Sequence, residues 1–211
     1  VWYAQLVSAQ FDSEWVNTRL GEIPVEWQPE VLKYVQLNDR VRSLAGRLLL
    51  CRALDAFGFL PPAYQQMTLS KYRRPCISGL SAFDFNISHS EGYVLCAAIR
   101  NGRVGVDVES IRLLDFDALQ STLNAAQWAA VHQAVYPQAA FQSYWTAKEA
   151  LVKADGRGLH LHVNQIEISY PTTQIDGYFW QLQALNISNA YKAHIAWSGS
   201  ASKPQLIEVQ F

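Results

Sequence analysis

Three carboxylates and one lysine carry the chemistry this chain could do: Asp107 and Glu109 two apart in an alternating apolar run, Glu149 and Lys153 four apart in a helical one. They make a hard-oxygen set with a cation beside it, which suits Mg²⁺, or Mn²⁺ in its place. Such an ion takes a few carboxylates and completes its octahedron with substrate phosphate oxygens and water. Basic residues that could hold anions are Arg42, Arg73, Arg74 and His89, with Ser88 next to the histidine. Metal, carboxylates and clustered cations are what transfer at a phosphate needs, because the protein's task there is positioning and charge neutralisation. The chain has no glycine-rich phosphate loop of the Walker or dinucleotide type, so side chains and the metal must hold the anion.

Each residue also has a plainer reading. Asp107 and Glu109 suit a solvated strand face, and Glu149 with Lys153 suits an i,i+4 surface pair worth a few tenths of a kcal/mol. His89 is equally a capping or packing histidine, and Arg73 and Arg74 equally a solvated turn. Lys148 falls on an apolar stripe between Tyr144 and Leu151, where a lysine must snorkel or pair. His160 and His162 alternate on an expected strand and resemble half a metal site, with nothing else to support one.

The elements that must position these groups follow from periodicity and punctuation. Asn101-Gly102 between two alternating runs predicts a hairpin over residues 86–109 closed by a type I′ turn. On its second strand Val104, Val106 and Val108 point one way and Gly105, Asp107 and Glu109 the other, with Gly105 leaving room for a ligand to approach the backbone. A strand is expected over residues 1–11, then a short helical segment, and a loop from Pro61 and Pro62. A helix is expected from an Asn38 N-cap to about Phe57, with Gly46 marking close packing. Asn124 and Gln127 make a capping box for a helix that ends before Pro137. The next helix, 139–155, buries Phe141, Tyr144, Trp145, Leu151 and Val152 and carries Gln142, Thr146, Glu149 and Lys153 on the opposite stripe. Strands over 165–169, 177–185, 190–197 and 206–211 complete the chain.

Length and composition bound the possibilities. With 211 residues, half of them hydrophobic, the chain can build one large domain or two small ones around a substantial core. A net charge of -1 gives no global electrostatic case for nucleic acid or an anionic membrane. Three cysteines without metal spacing argue against a disulfide framework and fit a reducing cytoplasm. No run reaches spanning length, so no membrane partner is expected.

An offset of 100 residues reveals a repeat: Asn86-Ile87-Ser88 recurs as Asn186-Ile187-Ser188, and Asp55 and Gly58 recur as Asp155 and Gly158. A duplication predicts two similar halves, 1–104 and 105–211, packed as a pseudo-dimer. Their junction falls near Gly105, which places Asp107, Glu109 and Glu149 near a seam.

Together these residues resemble the Sfp-type 4′-phosphopantetheinyl transferases. The resemblance rests on Arg74-Pro75, on Phe85 to Ser90 followed by Gly105 to Glu109, and on Trp145 to Lys153, with the helix around Arg42 to Gly46. It implies an α+β fold of two similar α/β halves related by a pseudo-twofold within a monomer, and it implies that Asp107, Glu109 and Glu149 hold Mg²⁺ against the pyrophosphate of coenzyme A. It assigns Glu149 as the base that takes the proton of a carrier-protein serine, and Lys153 as the group that neutralises or protonates the departing 3′,5′-ADP. Arg42, Arg74, Ser88 and His89 would bind the 3′-phosphate, which makes 1–104 the coenzyme side and 105–211 the metal and carrier side. The products are a holo acyl or peptidyl carrier protein and adenosine 3′,5′-bisphosphate. Three departures are visible: Arg74 where the family usually has lysine, Gln127 where many members have glutamate, and Lys33 alone in a segment often rich in lysines. A coenzyme A binding protein without catalysis and a Mg²⁺-dependent phosphohydrolase are the alternatives.

Overall fold

The computed structural model of the chain describes residues 1–6, 11–60, 66–199 and 203–211. The expected loop start at Pro61 and Pro62, and part of the strand expected over 1–11, lie outside these described residues. The chain divides into two compact units, Val1–Gly102 with Ala201–Phe211, and Arg103–Ser200.

In the first unit β1 (Trp2–Gln5) is followed by α1 (Ser13–Arg19), whose first turn is capped by Asp12 accepting from Trp15 N at 2.8 Å. After α2 (Gln28–Leu32) comes the long α3 (Leu37–Ala56). Its N-cap is Gln36, so Asn38 lies inside the helix and does not cap it. β2 (Met67–Leu69) and β3 (Pro75–Ile77) form a small antiparallel pair, and β4 (Phe83–Ser90) and β5 (Tyr93–Arg100) form a hairpin. β1 pairs antiparallel with β5, Trp2 facing Cys96, and β10 (Ile207–Glu208) adds a parallel edge beside β1. That edge strand is why the C-terminal residues belong to the first unit, where the sequence reading assigned them to the second. Leu44, Leu48 and Leu49 of α3 bury against Val94 and Cys96 of β5 in one core cluster. Gly46 permits this approach, since a Cβ there would come within 2.9 Å of Ile87 Cγ2.

The second unit repeats the plan. β6 (Val104–Ser110) leads through α4 (Ala125–Gln133) to α5 (Pro137–Asp155), then β7 (Thr172–Ile175), β8 (Tyr178–Ala184) and β9 (Tyr191–Trp197). The sheet order is β6-β9-β8-β7, with β6 antiparallel to β9. Each unit is thus a strand, a helix and a hairpin whose last strand returns to the first, and this bears out the α+β duplication. The long helices α3 and α5 begin 100 residues apart. The tripeptide match is not equivalent in structure: Asn86–Ser88 lies in β4, whereas Asn186–Ser188 lies in the connection between β8 and β9.

Two expected elements fail for physical reasons. Asn101 has a left-handed φ of 54°, yet Asn101-Gly102 closes no hairpin, because β5 pairs with β1 and β4 while β6 pairs with β9. The β4–β5 hairpin turns instead at Glu91-Gly92, with Glu91 at φ 46°. The segment expected as a strand over 165–169 begins on the last residue of a 3₁₀ turn, Val163–Gln165, and is otherwise irregular; the strand falls later, at β7. There Asp176 and Gly177, with φ of 47° and 84°, supply the left-handed pair that a tight hairpin needs.

Candidate active site

The second unit brings Asp107, Glu109, Glu149 and Lys153 together. β6 is not a solvated strand: Asp107 is 3 % exposed and Val104, Val106 and Val108 are buried. The face that carries Gly105, Asp107 and Glu109 lies under α5. Gly105 is needed because the helix backbone, not a ligand, occupies its side: a Cβ would sit 2.9 Å from the Lys153 carbonyl carbon and closer still to Ala150 O and Ala154 N. At the other end of β6, Gln142 Nε2 donates to Ser110 O at 3.1 Å. α5 therefore runs antiparallel along β6, and its Gln142, Thr146, Glu149, Lys153 stripe faces the sheet. The expectation that this stripe lay opposite the buried face is corrected: Gln142 and Thr146 are 3 % and 0 % exposed, while Tyr144 and Trp145 are only half-buried.

The charges within this layer act on one another. Lys153 Nζ reaches Asp107 Oδ1 at 2.6 Å, an ion pair across helix and strand. Burial raises the Glu149 carboxyl above the usual range; Lys153 opposes that shift, and Asp107 and Glu109 add to it. Glu149 is therefore a better proton acceptor than a solvated glutamate. Among the described residues no three His, Cys, Asp or Glu side chains form a group that could hold a metal ion by themselves. The donors are nevertheless hard oxygens throughout, and Mg²⁺ usually keeps water and substrate phosphate oxygens among its ligands. The set fits an ion held jointly with a phosphate-bearing ligand, not a closed protein cage.

Lys148, placed by sequence where it must pair or snorkel, is fully buried and does pair. Its Nζ donates to Thr122 O at 3.2 Å and Val163 O at 2.8 Å, and burial pushes its pKa down to about 8. It ties two 3₁₀ turns, Asp117–Thr122 and Val163–Gln165, to α5 one residue before Glu149. Gln127 closes the expected capping box and spends its amide on Ile166 O at 3.0 Å. His160 and His162 stand at 3₁₀ turns rather than on a strand and line a cavity of about 190 Å³ with Asp176.

In the first unit Arg42 and His89 come to the same end of β4. Arg42 Nη1 donates to Glu91 O at 3.3 Å and Nη2 to Asp39 Oδ1 at 2.7 Å. Ser88 is buried and His89 exposed. Arg74, directly before β3, reaches the other end of β4. It is 8 % exposed, and Nη2 donates to Asp84 Oδ2 at 2.7 Å and to Phe85 O at 2.9 Å. At about 3.3 Å per residue, Phe85 is roughly 13 Å along β4 from His89.

Sequence reasoning missed His194. It sits on β9 with Asp107 as its cross-strand partner and is 1 % exposed. Its Nδ1 meets Thr146 Oγ1 and its Nε2 meets the Tyr170 hydroxyl, both at 2.8 Å. Burial, with Lys192 adding, pushes its pKa down to about 4. A histidine alternating with apolar residues in an expected strand was the available signal, and only the β6–β9 register gives it meaning.

A doubled strand–helix–hairpin unit with acids on one strand and an acid–lysine pair on the facing helix matches a known group of transferases. Residues 103–196 match the 4′-phosphopantetheinyl transferase superfamily, and residues 11–101 match 4′-phosphopantetheinyl transferase, N-terminal. The two matches meet where the units do. The chain is 30% identical over 172 residues to 4′-phosphopantetheinyl transferase gsp of Aneurinibacillus migulanus, covering 80% of this chain and 70% of that protein. It is 24% identical over 152 residues to 4′-phosphopantetheinyl transferase Sfp of Bacillus subtilis, covering 69% and 66%. Over 121 residues it is 36% identical to 4′-phosphopantetheinyl transferase AcpT of Salmonella typhimurium, covering 56% and 59%. The chain belongs to the 4′-phosphopantetheinyl transferase superfamily. Among the described residues no helix is long and apolar enough to cross a membrane.

Proposed function

We propose that this transferase moves the 4′-phosphopantetheine group of coenzyme A onto a serine hydroxyl of an apo carrier protein, releasing adenosine 3′,5′-bisphosphate. The observation that supports it most is the alignment of Glu149 and Lys153 over the Asp107 and Glu109 strand, joined by the Lys153–Asp107 pair. Asp107, Glu109 and Glu149 are the residues that would hold Mg²⁺ with the diphosphate of coenzyme A. When bound, that ion supplies charge neutralisation and orientation of the phosphates.

Glu149, its proton affinity raised by burial, takes the proton from the serine hydroxyl. The serine oxygen forms a bond to the β-phosphorus, and the bond from that phosphorus to the bridging oxygen breaks. The electron pair leaves on 3′,5′-ADP, whose new charge Lys153 neutralises. Arg42, Ser88 and His89 bind the 3′-phosphate. Arg74, read from sequence as another phosphate ligand, contributes here by fixing β4 through Asp84 and Phe85.

A carrier needs an apolar surface to dock on, and the second unit, which carries the carboxylates, exposes apolar side chains. Leu113, Val135 and Tyr136 are 90%, 86% and 76% exposed, and Val135 and Tyr136 border a cavity of about 480 Å³ with Ile111. Exposed apolar side chains grouped this way mark interaction surfaces. The test is to incubate the chain with apo carriers, coenzyme A and Mg²⁺. Carrier should gain one phosphopantetheine with wild-type chain and none with Asp107→Asn; labelling by Asp107→Asn at the wild-type rate would refute the site assignment.

A further inference from the structure

His194 has no part in the reaction as written, yet it is buried beside it. Its place is fixed by register: Asp107 of β6 and His194 of β9 are directly opposed, so their side chains share the sheet face under α5. The hydrogen bonds around it determine which nitrogen carries the proton. Thr146 Oγ1 carries one hydrogen, and its helix offers that hydrogen Gln142 O at 2.7 Å, with Ser143 O farther off at 3.4 Å. With that hydrogen directed at Gln142 O, the same oxygen, 2.8 Å from His194 Nδ1, accepts from a protonated Nδ1. The neutral ring then offers its Nε2 lone pair to the Tyr170 hydroxyl, 2.8 Å away. The result is a continuous chain from the segment before β7, through the imidazole on β9 and Thr146 one turn ahead of Glu149, to the backbone of α5.

We infer that His194 is a positioning residue of the transfer reaction: as the neutral, Nδ1-protonated imidazole it ties Thr146 of α5 to β9 across from Asp107, and so sets where Glu149 and Lys153 lie over the β6 carboxylates. The Lys153–Asp107 pair and the Gln142–Ser110 bond tie the helix to β6, and the Thr146–His194 bond ties it to β9, where Ala196 offers only a small apolar contact. Apolar contact alone would leave the slide of the helix over β9 unfixed. A directional hydrogen bond does fix it. A neutral imidazole also suits the place, because a second cation next to the Lys153–Asp107 pair would compete for the same carboxylate. The kinetic part of this inference rests on the transferase reading; the tautomer does not.

The experiment has two arms on the full chain. In ¹⁵N-resolved NMR at neutral pH, His194 should be neutral with the proton on Nδ1; a proton on Nε2 would overturn the inference. In carrier labelling, Thr146→Val should lower kcat about tenfold while KM for coenzyme A changes less than about twofold, and Thr146→Ser should restore kcat. Unchanged kcat in folded Thr146→Val would also overturn it. A purely stabilising contact would lower the melting temperature but leave the kcat of folded protein intact. A wild-type chain that labels no carrier, yet shows the Nδ1 proton, would refute the transferase reading and its kinetic consequence while upholding the hydrogen-bond assignment.

Discussion

Gly105→Ala is the sharpest single perturbation of the site, because it adds one methyl group and touches no charge. The new Cβ would lie 2.9 Å from the Lys153 carbonyl carbon, against about 3.5 Å for a relaxed carbon contact. α5 must therefore retreat from β6 by about 0.6 Å at the least, and by more where Ala150 O and Ala154 N stand closer. These are helix backbone atoms, so no side chain can swing aside to absorb the change. Overpacking of this kind costs about 2 kcal/mol, or a fall of about 4–8 °C in Tm for a chain of this length. The same retreat opens the 2.6 Å Lys153–Asp107 contact and moves Glu149 with the helix. Misplacement approaching 1 Å costs about 10²-fold in rate. Thermal unfolding and initial rates of carrier labelling measure the two effects. Gly21→Ala, where a Cβ meets nothing within 4 Å, is the control and should change neither. If Gly105→Ala melts and labels like wild type, the packing of α5 on β6 does not set the site geometry.

Glu149→Gln should abolish transfer and yet raise Tm at pH 7. Its folded pKa is raised, so the stability Glu149 contributes is present below its unfolded value near 4.5 and lost as pH rises through the folded pKa; the variant's advantage should vanish in acid. Lys148 has the opposite sign. Its pKa falls from 10.5 to about 8, so wild-type stability should rise between those values, and paired denaturation curves should show no such rise in Lys148→Met. Arg74→Ala leaves the half-buried Asp84 without its guanidinium and should cost about 2 kcal/mol in urea unfolding. The KM for coenzyme A should change little, and a large rise with stability unchanged would return Arg74 to the phosphate.

The site was legible wherever chemistry and periodicity coincided. Asp107, Glu109, Glu149 and Lys153 are spaced two and four apart, and strand and helix geometry turn that spacing into shared faces. Gln127 and Asn124 announced their helix because a capping box is a local interaction. What sequence could not show was pairing at long range. Asn101-Gly102 is a strong hairpin signal, but it was overridden once β1 and β9 offered each strand a partner within its own unit. The polar stripe of α5 was placed opposite the buried face, because a helix packed on two sides breaks the link between polar and exposed. Gln142 and Thr146 are buried, the first donating from its Nε2 to Ser110 O and the second paired with His194. His194 itself acquires a role only through the register of β9 against β6.

The intact mass of an apo carrier protein, after incubation with this chain, coenzyme A and Mg²⁺, tests the central claim most directly. The account predicts a gain of one phosphopantetheine on a serine and an equal amount of adenosine 3′,5′-bisphosphate, both lost on chelation with EDTA. A carrier of unchanged mass across several apo carriers, or phosphate released from coenzyme A with no carrier present, would contradict it.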